Sequence, residues 1–244
     1  MQNNPLRFRE RTYRNKISRG RLFNFQIQFL ESDLWISASR DLSSTALDLV
    51  YHYRHIITGY IESHPNFLTS FIPLKFDPLA PPIIRDMLSA SNFVGVGPMA
   101  SVAGAIAQYV GDELALHSNE VIVENGGDIF IKSQENIRIA IFAGSSPLSE
   151  NVFLKISSEK TPLGVCTSSG TVGHSVSLGL ADAVCVISKS AILADAAATA
   201  IGNSVKSSND IKKALESGLK IEGVLGLVIV VGDKLGVLGD VELD

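Results

Sequence analysis

The stretch AILADAAATAIGN, residues 191–203, sets one carboxylate and one hydroxyl into a run of alanines. Read at 3.6 residues per turn, it is a small-sided helix in which Asp195 and Thr199, four apart, lie on one face. Asn203 follows one turn later, and Leu193, Ala197 and Ile201 take a different, apolar side. The residues beside the polar stripe, Ala194, Ala198 and Gly202, are small enough for a ligand or a neighbouring segment to approach the backbone. The same chain carries an echo of this helix. When ASVAGAIAQYVG (100–111) is set over AILADAAATAIG (191–202), five of twelve positions are identical. Gly104 and Gln108 then stand where Asp195 and Thr199 stand in the second copy. Each of these helices is followed by a hairpin-like pair of strands, so a duplicated architecture is expected.

The remaining segments fit that frame. RLFNFQIQFLESDLWISAS (21–39) alternates apolar and polar residues and predicts a β-hairpin about Glu31-Ser32-Asp33. From Ser43 to about Ser63 the apolar residues fall at helical spacing, with Asp41 or a following serine as the cap. Pro81-Pro82 suit the entry to a short helix ending near Ser91. VIVENGGDIFIKS (121–133) is two strands around Asn125-Gly126-Gly127-Asp128, a strong tight-turn signal. Strands are expected at 137–142, 151–157 and 183–187, a helix near 208–217, and strands near 224–231 and 235–238. Helices and hairpins alternate without the spacing of parallel crossover units. The expected class is therefore α+β, with helices on a largely antiparallel sheet, as one domain over 1–244 with pseudo-repeats at about 90–160 and 161–244.

Composition narrows the function classes. The chain has 244 residues, 45% of them hydrophobic, and two cysteines, Cys166 and Cys185. Two cysteines are too few for a disulfide framework, which favours a reducing compartment. No apolar run follows the charged start, and no stretch nears the roughly 20 apolar residues that span a bilayer. A cytoplasmic protein without a membrane partner is expected. Net charge is −4, yet residues 1–21 hold seven basic side chains against the single acid Glu10. Such an arm packs on its own acidic body or a neighbouring subunit, or it touches an anionic partner. No aromatic platform or nucleic-acid motif accompanies it, so nucleic acid is not the expected partner. A homo-oligomer stays open.

Spacing alone leaves two readings of Asp195 and Thr199. A carboxylate and a hydroxyl make a partial shell for Mg²⁺, a hard cation that draws its other ligands from water and phosphates. Equally, Asp195 can satisfy first-turn backbone N–H groups while Thr199 bonds back to a carbonyl. GVCTSSGTVGHS (164–175) leaves a strand for a loop rich in hydroxyls and glycine, with Thr167, Ser168, Ser169, Gly170 and Thr171 able to hold phosphate oxygens. His174 at its end is a candidate for proton transfer. Cys166 beside it is either a nucleophile or a buried small residue. His52, His55 and His64 lie on or just past the 43–63 helix, with no second ligand cluster near them in sequence.

VIVENGGDIFI, VCTSSGTVGHS and ILADAAATAIGN, in that order, resemble a family of ApbE-like proteins. DPLAPPIIRDM and GVGPMASVAGAIAQYVG resemble it too, and the similarity runs over nearly the whole chain. The likeness to ApbE itself, the Mg-dependent FAD:protein FMN transferase once linked with thiamine biosynthesis, is looser. The resemblance implies an α+β duplication of T-fold-like halves. It also implies Asp195 and Thr199 as metal ligands, and Asn125, Gly126, Gly127 and Asp128 beside a flavin (FAD or FMN) or another phosphorylated ligand. Two departures stand out. His174 is followed by SVSLGLAD and not by a nearby Asp-Pro pair, and residues 1–70 show no counterpart of the ApbE flavin pocket. Three functions follow as expectations: Mg²⁺-dependent flavin transfer or pyrophosphate cleavage, an enzyme on another phosphorylated or pterin-like cofactor, or a non-catalytic binding or assembly protein.

Overall fold

The structure is a computed structural model, and it describes residues 22–170 and 179–244. Eleven strands and six α-helices are present among them. In chain order they are β1 (Phe23–Phe29), β2 (Ser32–Ala38), α1 (Ser43–Ser63), α2 (Asn66–Thr69), α3 (Pro82–Val94), α4 (Val102–Leu114), β3 (Val121–Asn125) and β4 (Asp128–Lys132). There follow β5 (Ile137–Ala140), β6 (Phe153–Ile156), β7 (Leu163–Ser168), β8 (Ala183–Ser188), α5 (Ala191–Ser204), α6 (Ile211–Gly218), β9 (Val224–Val231), β10 (Lys234–Gly239) and β11 (Glu242–Leu243). The basic arm, residues 1–21, lies outside the described residues.

Eight strands form one antiparallel sheet in the order β1-β2-β3-β4-β7-β8-β9-β10. The order is even-handed. On each side of the β4–β7 seam stand two hairpins, with the helices of that half inserted between them. A second sheet, β11-β6-β5, covers part of one face. Period-two alternation decides the layering, because successive side chains point to opposite faces. Along β4, Phe130 joins the core under α1, α3 and α4, while Ile129 and Ile131 turn to the core shared with Leu154 and Ile156 of the small sheet. A third core, under α5 and α6, contains Cys166, Val184, Val186, Leu227 and Ile229. The molecule is thus helices, large sheet, small sheet.

Helix α5 belongs to two of these cores. Ile192 and Ala196 pack with the α4 side, and Ala194, Ala197 and Ala198 pack with the α6 side. A helix closed in all round needs small side chains more than a single apolar stripe, which accounts for the alanines. Where α4 crosses it, a Cβ on Gly104 would meet the Ala191 carbonyl at 2.4 Å and the Asp195 Cβ at 2.8 Å. Only glycine allows that approach.

Several boundaries differ from the sequence reading, and α3 and α4 each run three residues further, to Val94 and Leu114. The first hairpin turns at Leu30-Glu31, and Ser32 and Asp33 already pair in β2. The 97–111 helix opens as a 3₁₀ turn over Pro98–Ser101 before α4 begins, because Pro98 lacks an amide proton and suits a tight first turn. Thr167 and Ser168 belong to β7, paired with Cys185 and Val184, and not to the loop. Among the described residues no single helix is long and apolar enough to cross a membrane.

Candidate functional site

The site is built where β3, β4 and β7 end beneath the start of α4 and the middle of α5. Asn125 and Asp128 frame the β3–β4 turn, which uses two glycines at φ +72° and +112°, a backbone region other residues avoid. Both side chains point to the helix layer. Asn125 Nδ2 donates to the Ala103 carbonyl at 3.1 Å, tying the turn to the start of α4. The Gly127 N–H donates to Glu124 Oε1 at 2.9 Å.

Asp195 reaches the same place from above. The cap of its own helix is Ser190, whose hydroxyl accepts from the Leu193 N–H. Asp195 Oδ2 instead accepts from the Gly104 N–H at 2.8 Å, at the first turn of α4. The helix it serves is therefore its neighbour. In return, Gln108 Oε1 accepts from the Ser190 hydroxyl at 3.1 Å and the Ile192 N–H at 3.4 Å, at the first turn of α5. Two of the positions that differ between the sequence echoes, 104/195 and 108/199, thus include the groups through which each helix caps the other.

Two carboxylates share this enclosure. Asp128 is buried, and its Oδ1 has no hydrogen-bond partner among the described residues. Burial, then the charge of Asp195, and to a smaller degree that of Glu124, hold its carboxyl well above the usual range; contacts from Cys166 and the Thr167 N–H oppose them only in part. Asp195 itself is pushed up to about 7 by burial, against the N–H groups of Gly104 and Ala103. A helix start favours an ionised carboxylate, and here desolvation outweighs it. Among the described residues, no Lys or Arg acts on either carboxylate. Thr199 follows Asp195 by one turn on α5 and is half-buried.

The other expected residues divide. Cys166 sits under Ala191, its thiol donating to that carbonyl at 3.3 Å. Burial and the adjacent charges of Asp128 and Asp195 raise its pKa far above normal, so the thiolate a nucleophile needs is suppressed. Cys166 is a packing residue. Thr167 reaches the site through its main chain, while its hydroxyl bonds Cys185 on the other side of the sheet. Ser168 is buried at the end of β7, and Gly170 donates its N–H to the Ala181 carbonyl at 2.9 Å. Ser169 is half-buried between them. Thr171 and His174 lie outside the described residues. Asp182, the aspartate that ends the SVSLGLAD stretch, accepts from the Gly232 N–H at 2.7 Å and serves the β9–β10 turn. The first-turn N–H groups of α4 were not foreseen. The only sequence hint was the alignment of Gly104 with Asp195.

Among the described residues no three His, Cys, Asp and Glu side chains cluster with metal-binding geometry. A cage made wholly of such side chains is therefore not what this site offers. Mg²⁺ asks for less: one or two carboxylates, with water and phosphate completing the shell. Among the described residues, a buried carboxylate oxygen without a partner, a second carboxylate beside it and no neighbouring cation match that donor set.

A family model described as AbpE bacteria matches residues 14–242. A UPF0280 protein of Methanococcus aeolicus is 41% identical over 222 residues, 88% of this chain and 90% of its own length. Another, from Methanocaldococcus jannaschii, is 42% identical over 201 residues, covering 80% and 82%. Among solved structures, the flavin transferase ApbE from Vibrio cholerae superposes with a TM-score of 0.60 at 12% identity, over 89% of this chain and 96% of that one. The apo flavinyl transferase ApbE of Pseudomonas stutzeri gives 0.56 at 16% identity, over 89% and 94%. At such identities the structures establish a shared fold.

Proposed function

The chain belongs to the family described as AbpE bacteria, and from that premise we propose that it binds a flavin dinucleotide with Mg²⁺ and transfers or hydrolyses its FMN moiety. The observation that carries the reading is the pair of buried Asp128 and half-buried Asp195, with an orphaned Asp128 oxygen and, among the described residues, no cation acting on either group. Like charges this enclosed are costly unless one is protonated or a cation sits with them. Asp195 and Thr199 would hold the cation, with Asp128 facing them. Bound there, Mg²⁺ supplies charge neutralisation for the bridging oxygen of a pyrophosphate. The bond that breaks joins the FMN phosphorus to that oxygen. The bond that forms joins the same phosphorus to a hydroxyl oxygen of water or of an acceptor protein. AMP leaves on the bridging oxygen, and the acceptor's proton passes to solvent or a nearby base.

The protein's own groups do the positioning. Asn125 and the glycine turn hold the sheet end close under α4, and Asp195 anchors the first turn of that helix. The N–H groups of Thr167 and Gly170 are engaged by Asp128 and the Ala181 carbonyl, so hydroxyls of the 168–171 stretch would meet the phosphate oxygens, and His174 keeps the role of proton donor to the leaving oxygen that its sequence context suggests. That the fold neighbours are flavin transferases supports the choice of a flavin as first ligand. Titrating the chain with FAD by fluorescence, with and without Mg²⁺, tests the reading. Binding that needs Mg²⁺, AMP release on standing, and loss of both in Asp195→Ala are expected. Equal FAD affinity with and without Mg²⁺, or unaltered AMP release in Asp195→Ala, would overturn it.

A further inference from the structure

The large sheet ends in β1, which has no strand on its outer side among the described residues. An open edge presents a row of unpaired N–H and C=O groups, and proteins usually blunt it with a charge, a glycine, a proline, a bulge or short length. The other three edges of the two sheets are blunted. β10 carries Lys234, Gly236 and Gly239; β5 has four residues including Arg138; β11 has two, one of them Glu242. β1 reads FNFQIQF, seven residues without charge, glycine or proline, and runs in unbroken register with β2 from Phe23↔Ala38 to Phe29↔Ser32.

This strand complements itself. Laid antiparallel on a second copy about Gln26, Phe23 faces Phe29, Asn24 faces Gln28, Phe25 faces Ile27, and Gln26 faces Gln26. Rings and aliphatics meet their own kind on one face, and amides meet amides on the other. A slip of one residue sets amides against rings, so the pattern also specifies register.

A lone pair of strands is marginal in water, and the helix layer adds to it here. Ile27 is in the core below α1, and Phe25 and Phe29 pack against that core. Over them α1 shows a stripe at four-residue spacing: Leu47, 46% exposed, Tyr51, 56% exposed, and His55. The Tyr51 ring stands edge-on to Phe29 with centroids 5.2 Å apart and stacks on His55 at 6.2 Å. With Phe23, also 56% exposed, these side chains carry the apolar surface from the sheet edge up onto the helix. A two-fold axis at Gln26 brings both halves of that surface together.

We infer that β1 is the interface of a symmetric homodimer, in which two copies pair β1 with β1 about Gln26 and join their large sheets into one. The interface is isologous, so it closes at two copies. It does not depend on the flavin reading. Sedimentation velocity on the full chain at micromolar concentration is expected to give twice the chain mass. Gln26→Lys, at an exposed position, places two ammonium groups on the axis; the dimer should be lost while the circular dichroism spectrum is kept. Because Gln26 also donates to Asp33 Oδ1 at 2.7 Å, a second pair of variants guards against misfolding. Under mild oxidation Gln26→Cys should cross-link two chains, since each new thiol faces its own copy, and Gln28→Cys, which faces Asn24 of the second copy, should not. Cys166 and Cys185 are buried and do not interfere. A monomeric wild type, a dimer that survives in folded Gln26→Lys, or equal cross-linking of the two cysteine variants would overturn the inference.

Discussion

Asp195 answers the question its sequence poses, though not in the way spacing suggests. Its partner is the amide of Gly104, 91 positions away in sequence, and its raised pKa comes from burial. That coupling has a sign. A carboxyl whose folded pKa lies near 7, against 3.8 unstructured, binds its proton more tightly folded than unfolded. Between those values the unfolded chain holds fewer protons, so this group's stabilising contribution is full below about 4 and declines as pH rises to about 7. Asp128 is shifted the same way. Without divalent cations, the melting temperature of wild type measured against Asp195→Asn should therefore fall from pH 4 to 7 and level off above. A difference between the two proteins that stays constant with pH would show that Asp195 is not perturbed. Protons and Mg²⁺ compete for the same oxygen, so cation affinity should be about tenfold weaker at pH 6 than at pH 8.

At the scale of elements, α4 and α5 are held by reciprocal capping and by the absence of a Cβ at Gly104. Gly104→Ala forces the helices apart or turns Asp195 aside, at a cost of about 1–3 kcal/mol in stability. Chemical denaturation should show that loss, together with weaker cation binding, whereas Gly59→Ala, where nothing lies within 4 Å of the added carbon, should not lose stability by overpacking. Most of these elements were legible in sequence. The 43–63 helix, the Asn125–Asp128 turn and the 191–203 helix all signal themselves through local periodicity and turn chemistry. Two short elements, α2 and β11, were not, because four and two residues carry no period. The meeting of Asp128 with Asp195 was also invisible. It depends on β4, β7, α4 and α5 closing on one another, a non-local fact that no spacing expresses. The β7 boundary was missed because Thr167 and Ser168 have turn-like side chains, yet the ladder with β8 takes them in.

Across the whole molecule, one continuous antiparallel sheet carries the site near its β4–β7 seam and the open edge at β1. Alternation over 21–39 and the Asn125–Asp128 turn announced two hairpins of the sheet; its strand order and its cover by β11-β6-β5 emerged only from the fold. The site and the edge involve different strands, so variants at one can be read without disturbing the other. The central claim remains that the Asp128–Asp195 enclosure receives a divalent cation. Titration with Mn²⁺ followed by electron paramagnetic resonance tests it most directly, because free and bound Mn²⁺ give distinct signals. The account predicts one bound Mn²⁺ per chain, displaced by Mg²⁺, weakened at pH 6 and abolished in Asp195→Asn. A wild type that leaves all Mn²⁺ free, or an Asp195→Asn variant that binds it equally well, would contradict it.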